Sequence, residues 1–72
     1  MQGRYQEAAQ QYDDALQLTP DDPRVAVNLG DTLVRLGQTN DAVQCYQHAL
    51  QLEPDDQIVR SKLQSLGIRP AD

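Results

Sequence analysis

Residues 3–25 of this chain recur as residues 37–59, an offset of 34, and no other feature so narrows what its 72 residues can become. Twelve of the 23 aligned positions are identical: Gly3/Gly37, Ala8/Ala42, Gln10/Gln44, Tyr12/Tyr46, Ala15/Ala49, Leu16/Leu50, Gln17/Gln51, Leu18/Leu52, Pro20/Pro54, Asp21/Asp55, Asp22/Asp56 and Val25/Val59. A fixed period of about 20–50 residues marks a chain of stacked supersecondary units, none of which can bury its apolar face alone. Each surface of such an array has a counterpart one period away.

Within each copy the apolar residues step by three and four, the spacing of one helical face. A first helix is predicted over residues 4–18, with Tyr5, Ala8, Ala9, Tyr12, Ala15 and Leu16 on that face. Pro20 ends it, because the residue before a proline is pushed out of the α region. A second helix opens at Asp22-Pro23, where aspartate accepts orphan N–H groups and proline forfeits only a hydrogen bond that its position could not make. Its inner face is Ala26, Leu29, Gly30 and Leu33, and Gly37 stops it near Leu36. Gly30 is expected to be a packing residue, with Ala42 meeting it from the facing helix.

The third helix, residues 39–52, repeats the first with Ala42, Val43, Tyr46, Ala49 and Leu50, and Pro54 halts it. The fourth follows Asp55-Asp56 and carries Val59, Leu63 and Leu66. Gly67-Ile68 has the form of a helix C-cap with its apolar clasp, and Pro70 follows. The short connections imply antiparallel neighbours. The fold class is therefore all-α. With three tyrosines and no Trp or Phe, the core must be built mainly from alanine and leucine.

Composition bounds the function. Eleven acids against six bases give a net charge of −5, which lacks the basic footprint of a nucleic-acid binder and argues against an anionic membrane surface. No run approaches the roughly 18 apolar residues of a membrane span, and no charged-then-apolar leader opens the chain, so it reads as soluble, with the cytoplasm as default compartment. The single Cys45 cannot form an internal disulfide.

Candidate chemistry is sparse. Asp21-Asp22 and Asp55-Asp56 recur at equivalent turns and read as helix caps at the positive end of the helix dipole rather than as metal ligands. His48, the only histidine, falls off the apolar face and is expected in solvent. Cys45 lies beside the stripe with no base nearby to lower its pKa, which favours an inert thiol. No phosphate loop, nucleophile elbow or zinc spacing is present. No catalytic residue, metal site or cofactor is assigned, and an enzyme is not supported.

The pattern resembles the tetratricopeptide repeat family, a 34-residue helix–turn–helix unit. Asn28-Leu29-Gly30 stands where the family has its Leu-Gly pair, Gly37 at its turn, and Ala42, Tyr46, Ala49, Leu50 and Leu52, closed by Pro54, in its second helix. Residues 23–56 then form one full repeat. Residues 4–18 resemble the second helix of a preceding repeat, and residues 57–67 the first helix of a following one, serving as a cap. Ala26 replaces the family's frequent tryptophan and Leu33 its tyrosine. Gln64 and Arg60 stand at the glycine and tryptophan positions of the last helix, where no further helix could dock as closely. The implied architecture is a short right-handed α-solenoid segment of antiparallel helix-turn-helix repeats, about four helices in a single domain.

The resemblance also implies a function: a protein-interaction module holding a peptide or helix in a concave groove lined by the first helices of the repeats. Stepping by three and four from Arg24 places Arg24, Val27, Asn28, Asp31 and Arg35 on one face. One period later come Ile58, Ser61, Lys62 and Ser65. Arg24, Asn28, Arg35 and Lys62 would be the polar contacts, and Val27 and Ile58 the apolar floor. Asn28 and Lys62 match two positions of the clamp with which some family members grip the C-terminal carboxylate of heat-shock chaperones. Ile58 stands where that clamp wants a second lysine, so a full clamp is not expected. If no partner binds, Arg35 is expected to pair with Asp31 one turn away, and Arg24, Asn28 and Lys62 to be solvated. The alternative is a terminal segment of a longer solenoid that self-assembles into a homodimer through its uncovered first helix, by way of Tyr5, Ala8, Ala9 and Tyr12.

Overall fold

The structure, a computed structural model, describes residues 2–67 and the side chains from Gly3 onward. Four helices follow one another: α1 (Gln2–Leu18), α2 (Pro23–Arg35), α3 (Thr39–Leu52) and α4 (Gln57–Ser65). The predicted third helix coincides with α3. The others agree within two residues at each end, α1 reaching back to Gln2. The expected clasp by Ile68 and the exit at Pro70 lie outside the described residues.

The boundaries have local causes. Asp22 caps α2 by accepting the Arg24 amide at 3.0 Å, with Pro23 in the first turn. Asp56 caps α4 by accepting the amides of Ile58 and Val59 at 3.0 and 3.2 Å. At the end of α2, Gly37 takes φ +77°, a region closed to most side chains. This lets the Gly37 amide reach the Val34 carbonyl and the Gln38 amide reach that of Leu33, closing orphan acceptors in a Schellman arrangement.

α2 is the middle of the array, packed against α1 on one side and α3 on the other, while α4 packs on α3. The core consists of Ala26, Leu29 and Leu33 of α2, Ala42, Tyr46 and Ala49 of α3, and Val59 and Leu63 of α4. Val59 and Leu63 are completely enclosed. Each withdraws a side chain from water for about 1.5–3 kcal/mol, an upper figure because the unfolded chain already buries part of it. Thr32 is the buried polar residue of the core, and its hydroxyl donates to the Asn28 carbonyl one turn back at 2.9 Å.

The packing role of Gly30 rests on Tyr46 rather than Ala42. A methyl group on Gly30 would stand 2.7 Å from Cε1 and 2.9 Å from Cδ1 of the Tyr46 ring. The helices approach as far as glycine allows, and the ring fills the space.

A candidate partner-binding face on the second and fourth helices

The residues of the predicted groove divide between α2 and α4. Arg24, Asn28 and Arg35 are exposed, Val27 and Asp31 half-buried, and Val27 packs against the core. On α4, Ser61 and Ser65 are exposed, Lys62 is half-buried, and Ile58 is 70 % exposed. Between the two helices lies a shallow depression of about 320 Å³ lined by Asp31, Val34, Arg35, Tyr46, Lys62, Ser65 and Leu66.

Its centre is a single carboxylate oxygen. Asp31 Oδ1 accepts a hydrogen bond from the Tyr46 hydroxyl at 2.5 Å and another from the Lys62 ammonium at 3.0 Å. One α2 side chain thus ties α3 and α4 together, and charge-assisted bonds of this kind are the stronger class. Burial first, and then the bond to Asp31 and its charge, push the Tyr46 hydroxyl well above the usual phenol range. The hydroxyl stays a donor throughout physiological pH and does not act as a base. Ser61 and Ser65 are also linked, the Ser65 hydroxyl donating to the Ser61 carbonyl at 3.0 Å.

These pairings revise two sequence-based expectations. The Asp31 carboxylate pairs across the interface with Lys62 and not along the helix with Arg35. Lys62 is accordingly an ion-pair partner, not a freely solvated base. Arg35 instead holds its guanidinium 5.9 Å from the centre of the Tyr5 ring on α1, a cation–π geometry. Arg24 lies 3.6 Å from Asp22 but remains 88 % exposed, so that pair contributes little to stability.

Val34, Tyr46 and Leu66 belong to the depression although sequence reasoning left them out of the site. Val34 escaped because it sits at the edge of the α2 stripe, with 37 % of its surface exposed. Tyr46 read only as core filler, and it does belong to the core, yet it also lines the depression, where its hydroxyl meets Asp31.

A larger open cleft of about 610 Å³ lies along α1 and α3, with Ala9, Leu16, Leu29 and Leu33 on its floor and Gln10, Asp13, Asp41, Cys45 and His48 among its walls. His48 is half-buried there, not free in solvent. Its Nε2 lies 2.5 Å from the Pro20 carbonyl, which can only accept, so that nitrogen carries the proton. The contact fastens the α1–α2 turn to α3. Burial, then the charges of Asp41 and Asp13, push the Cys45 thiol up. Among the described residues no group of three or more His, Cys, Asp or Glu is placed to hold a metal, and no helix is long and apolar enough to cross a membrane.

On α1, Tyr5, Ala8, Ala9 and Tyr12 are each half-buried. Ala9 and Tyr12 pack against the core, and Tyr5 lies under Arg35.

The sequence profile of the tetratricopeptide repeat matches residues 1–66. Comparison with curated proteins and with solved structures returned no match. With nearly the whole length matched and four helices in place, the chain belongs to the tetratricopeptide repeat family, whose repeats generally mediate protein–protein interaction and are typically not enzymes.

Proposed function

We propose that the chain is a protein-interaction module and that its working surface is the α2–α4 face, where Arg24, Val27, Asn28, Asp31, Arg35, Ile58, Ser61 and Lys62 contact a peptide or helix of a partner protein. Residues 23–56 act in this reading as the full repeat, residues 4–18 as the second helix of a partial one, and residues 57–67 as the cap. The observation that carries it is the depression between α2 and α4, with the large exposed apolar side chains Val34 and Ile58 on the same two helices. Exposed apolar groups beside a polar centre are what an interface needs: area to bury, and hydrogen bonds to fix the register.

Arg24 and Arg35 supply positive charge, and Lys62 is partly neutralised by Asp31, so the face suits a partner segment of mixed or mildly acidic character. No large aromatic anchor is on offer, and an affinity of around micromolar follows. The test is selection of binders from a random peptide library on the immobilised protein, followed by chemical-shift mapping of a selected peptide. Shifts on Asn28, Asp31, Arg35, Ile58 and Lys62 support the reading. Shifts confined to Cys45, His48 and the cleft beside α1 refute it.

The alternative is self-assembly through α1, with Tyr5, Ala8, Ala9 and Tyr12 at a homodimer interface. The half-burial of these four residues leaves each some area to offer. Sedimentation at rising concentration separates the two readings, because a monomer at high micromolar concentration leaves only the first.

A further inference from the structure

The cleft of about 610 Å³ draws its lining from α1, α2 and α3, and along α1 it reaches from Gln6 to Leu16, about 15 Å of helix. Its floor is apolar: Leu29 and Leu33 of α2 belong to the buried core, and Leu16 packs against that core. Its charge has one sign. Asp13 of α1 and Asp41 of α3 line it, both exposed, and among the described residues no Lys or Arg does. The fold makes little use of either acid. Asp13 lies in the middle of α1, where it caps nothing, and its carboxylate accepts a bond from the Gln17 side chain at 3.2 Å. Asp41 stands in the first turn of α3, where its charge suits the helix dipole. No ion pair reaches either acid among the described residues. Both charges are felt at the Cys45 thiol, which lines the same cleft, so they act together in one opening.

We propose that this cleft receives a basic amphipathic helix of a partner protein, its aliphatic side chains on Leu16, Leu29 and Leu33 and its lysines or arginines beside Asp13 and Asp41. An apolar floor between two helices suits the apolar face of a third, and acids at the walls suit bases along the edges of that face. The floor supplies area to bury, and the two carboxylates select against acidic helices of the same shape.

Charge argues against a second copy of this chain, which at −5 would bring acids toward acids. A further helix stacked on α1 as α2 stacks on α3 would meet Tyr12, the counterpart of the Tyr46 ring that faces Gly30. Tyr12 does not line the cleft, so stacking of that kind leaves the opening free. The cleft shares no lining residue with the α2–α4 depression, and the proposal stands or falls independently of that surface.

The probe is a synthetic helical peptide of leucine and lysine, about four turns long, with leucines on one face and lysines along its edges. Titrated into the isotope-labelled 72-residue protein, it should shift the resonances of Ala9, Leu29, Leu33 and Cys45 saturably. A peptide with serine for leucine and one with glutamate for lysine should each bind at least about tenfold more weakly. In the protein, Asp13→Asn with Asp41→Asn should weaken the leucine–lysine peptide about threefold or more, since two exposed charge pairs are lost. Glu53→Gln with Asp55→Asn removes the same charge at the α3–α4 turn, outside the cleft, and should leave the affinity within about twofold. All four residues are exposed, and circular dichroism checks that both variants stay folded. Equal weakening by the two variant pairs overturns the proposal, because net charge alone would then explain the binding. So does a serine peptide that binds as well as the leucine one, or a set of shifts confined to Asp31, Arg35 and Lys62. Absence of saturable shifts at millimolar peptide overturns it too. Cleft resonances that move when the peptide-free protein is concentrated also overturn it, with a second copy as the occupant.

Discussion

α2 and α4 occupy equivalent places one period apart, yet among the described residues α2 packs between two helices and α4 packs on one. The residues that look back toward the preceding helix keep their character: Val25 and Leu29 become Val59 and Leu63, and both of the latter are fully buried against α3. The residues that would receive a following helix do not. Ala26, Gly30 and Leu33 give way to Arg60, Gln64 and Gly67, and Gln64 lies in solvent. In a repeat array a helix face that no neighbour covers carries polar residues where a stacked one carries apolar ones. The difference between these two helices confines that exchange to the side of α4 that no described helix covers.

The sharpest way to break the comparison is to remove what α2 holds and α4 has nothing to match. Tyr46→Ala empties the space over Gly30 and severs the link through Asp31 to Lys62. A buried aromatic truncated to alanine costs about 3–5 kcal/mol, most of the stability that a domain of this size can have. Denaturant unfolding should find the variant largely unfolded. A cost below about 1.5 kcal/mol would mean that the Tyr46 ring does not lie where the fold requires it.

Gly30→Ala comes next. An exposed helical glycine gains up to about 1 kcal/mol on replacement by alanine. Here the added methyl would stand 2.7 Å from a ring whose hydroxyl is anchored, and overpacking costs about 1–3 kcal/mol. The variant should melt below the parent. A higher midpoint would place the helices farther apart than described.

The helices themselves were legible in the sequence because their punctuation is chemical: prolines after α1 and α3, aspartate caps before α2 and α4, and a glycine at φ +77° after α2. The inner face of α2 was legible for the same kind of reason, since three-and-four spacing fixes which residues share a side. What could not be read was which side chains meet across helices. Asp31 and Lys62 are 31 residues apart, Tyr46 and Asp31 are 15, and His48 and Pro20 are 28. Each meeting depends on an interhelical rotation that periodicity leaves free. Arg35 was therefore assigned the nearest acid along its own helix, and the chain gave it a tyrosine on another.

Tyr46→Phe separates the ring from its hydroxyl. The loss should be about 0.5–1.5 kcal/mol at neutral pH, the net worth of one hydrogen bond. It also carries a pH signature. The folded state holds the Tyr46 proton more tightly than the unfolded chain does, so the hydroxyl's contribution is complete below the ordinary phenol pKa of about 10 and is lost as pH rises above it. Urea midpoints measured from neutral to strongly alkaline pH should fall more steeply for the parent than for Tyr46→Phe. Parallel curves would show that the hydroxyl is not held by Asp31.

The Asp31–Lys62 pair joins α2 to α4, but both side chains keep more than a third of their surface exposed. Water and salt screen such a pair, so Lys62→Met should cost no more than about 1 kcal/mol, and less as salt is added. Removing Lys62 leaves Asp31 bonded to Tyr46, and the alkaline signature should survive in Lys62→Met. A cost above about 2 kcal/mol would give the pair a structural weight that its exposure does not support.

The smallest effect belongs to the outer face of α4. Gln64 stands one period after Gly30, and Gln64→Ala makes at the end of the array the substitution that Gly30→Ala makes in its middle. Gln64 is exposed, nothing in the fold depends on its amide, and alanine is the slightly better helix former, so the midpoint should stay within about 0.5 kcal/mol of the parent. The two alanine variants form a matched pair at equivalent sites, one expected to be costly and the other silent. The pair is best read in one set of thermal melts followed by circular dichroism. A loss of more than about 1 kcal/mol at Gln64 would show that the outer face of α4 is packed in solution and not exposed.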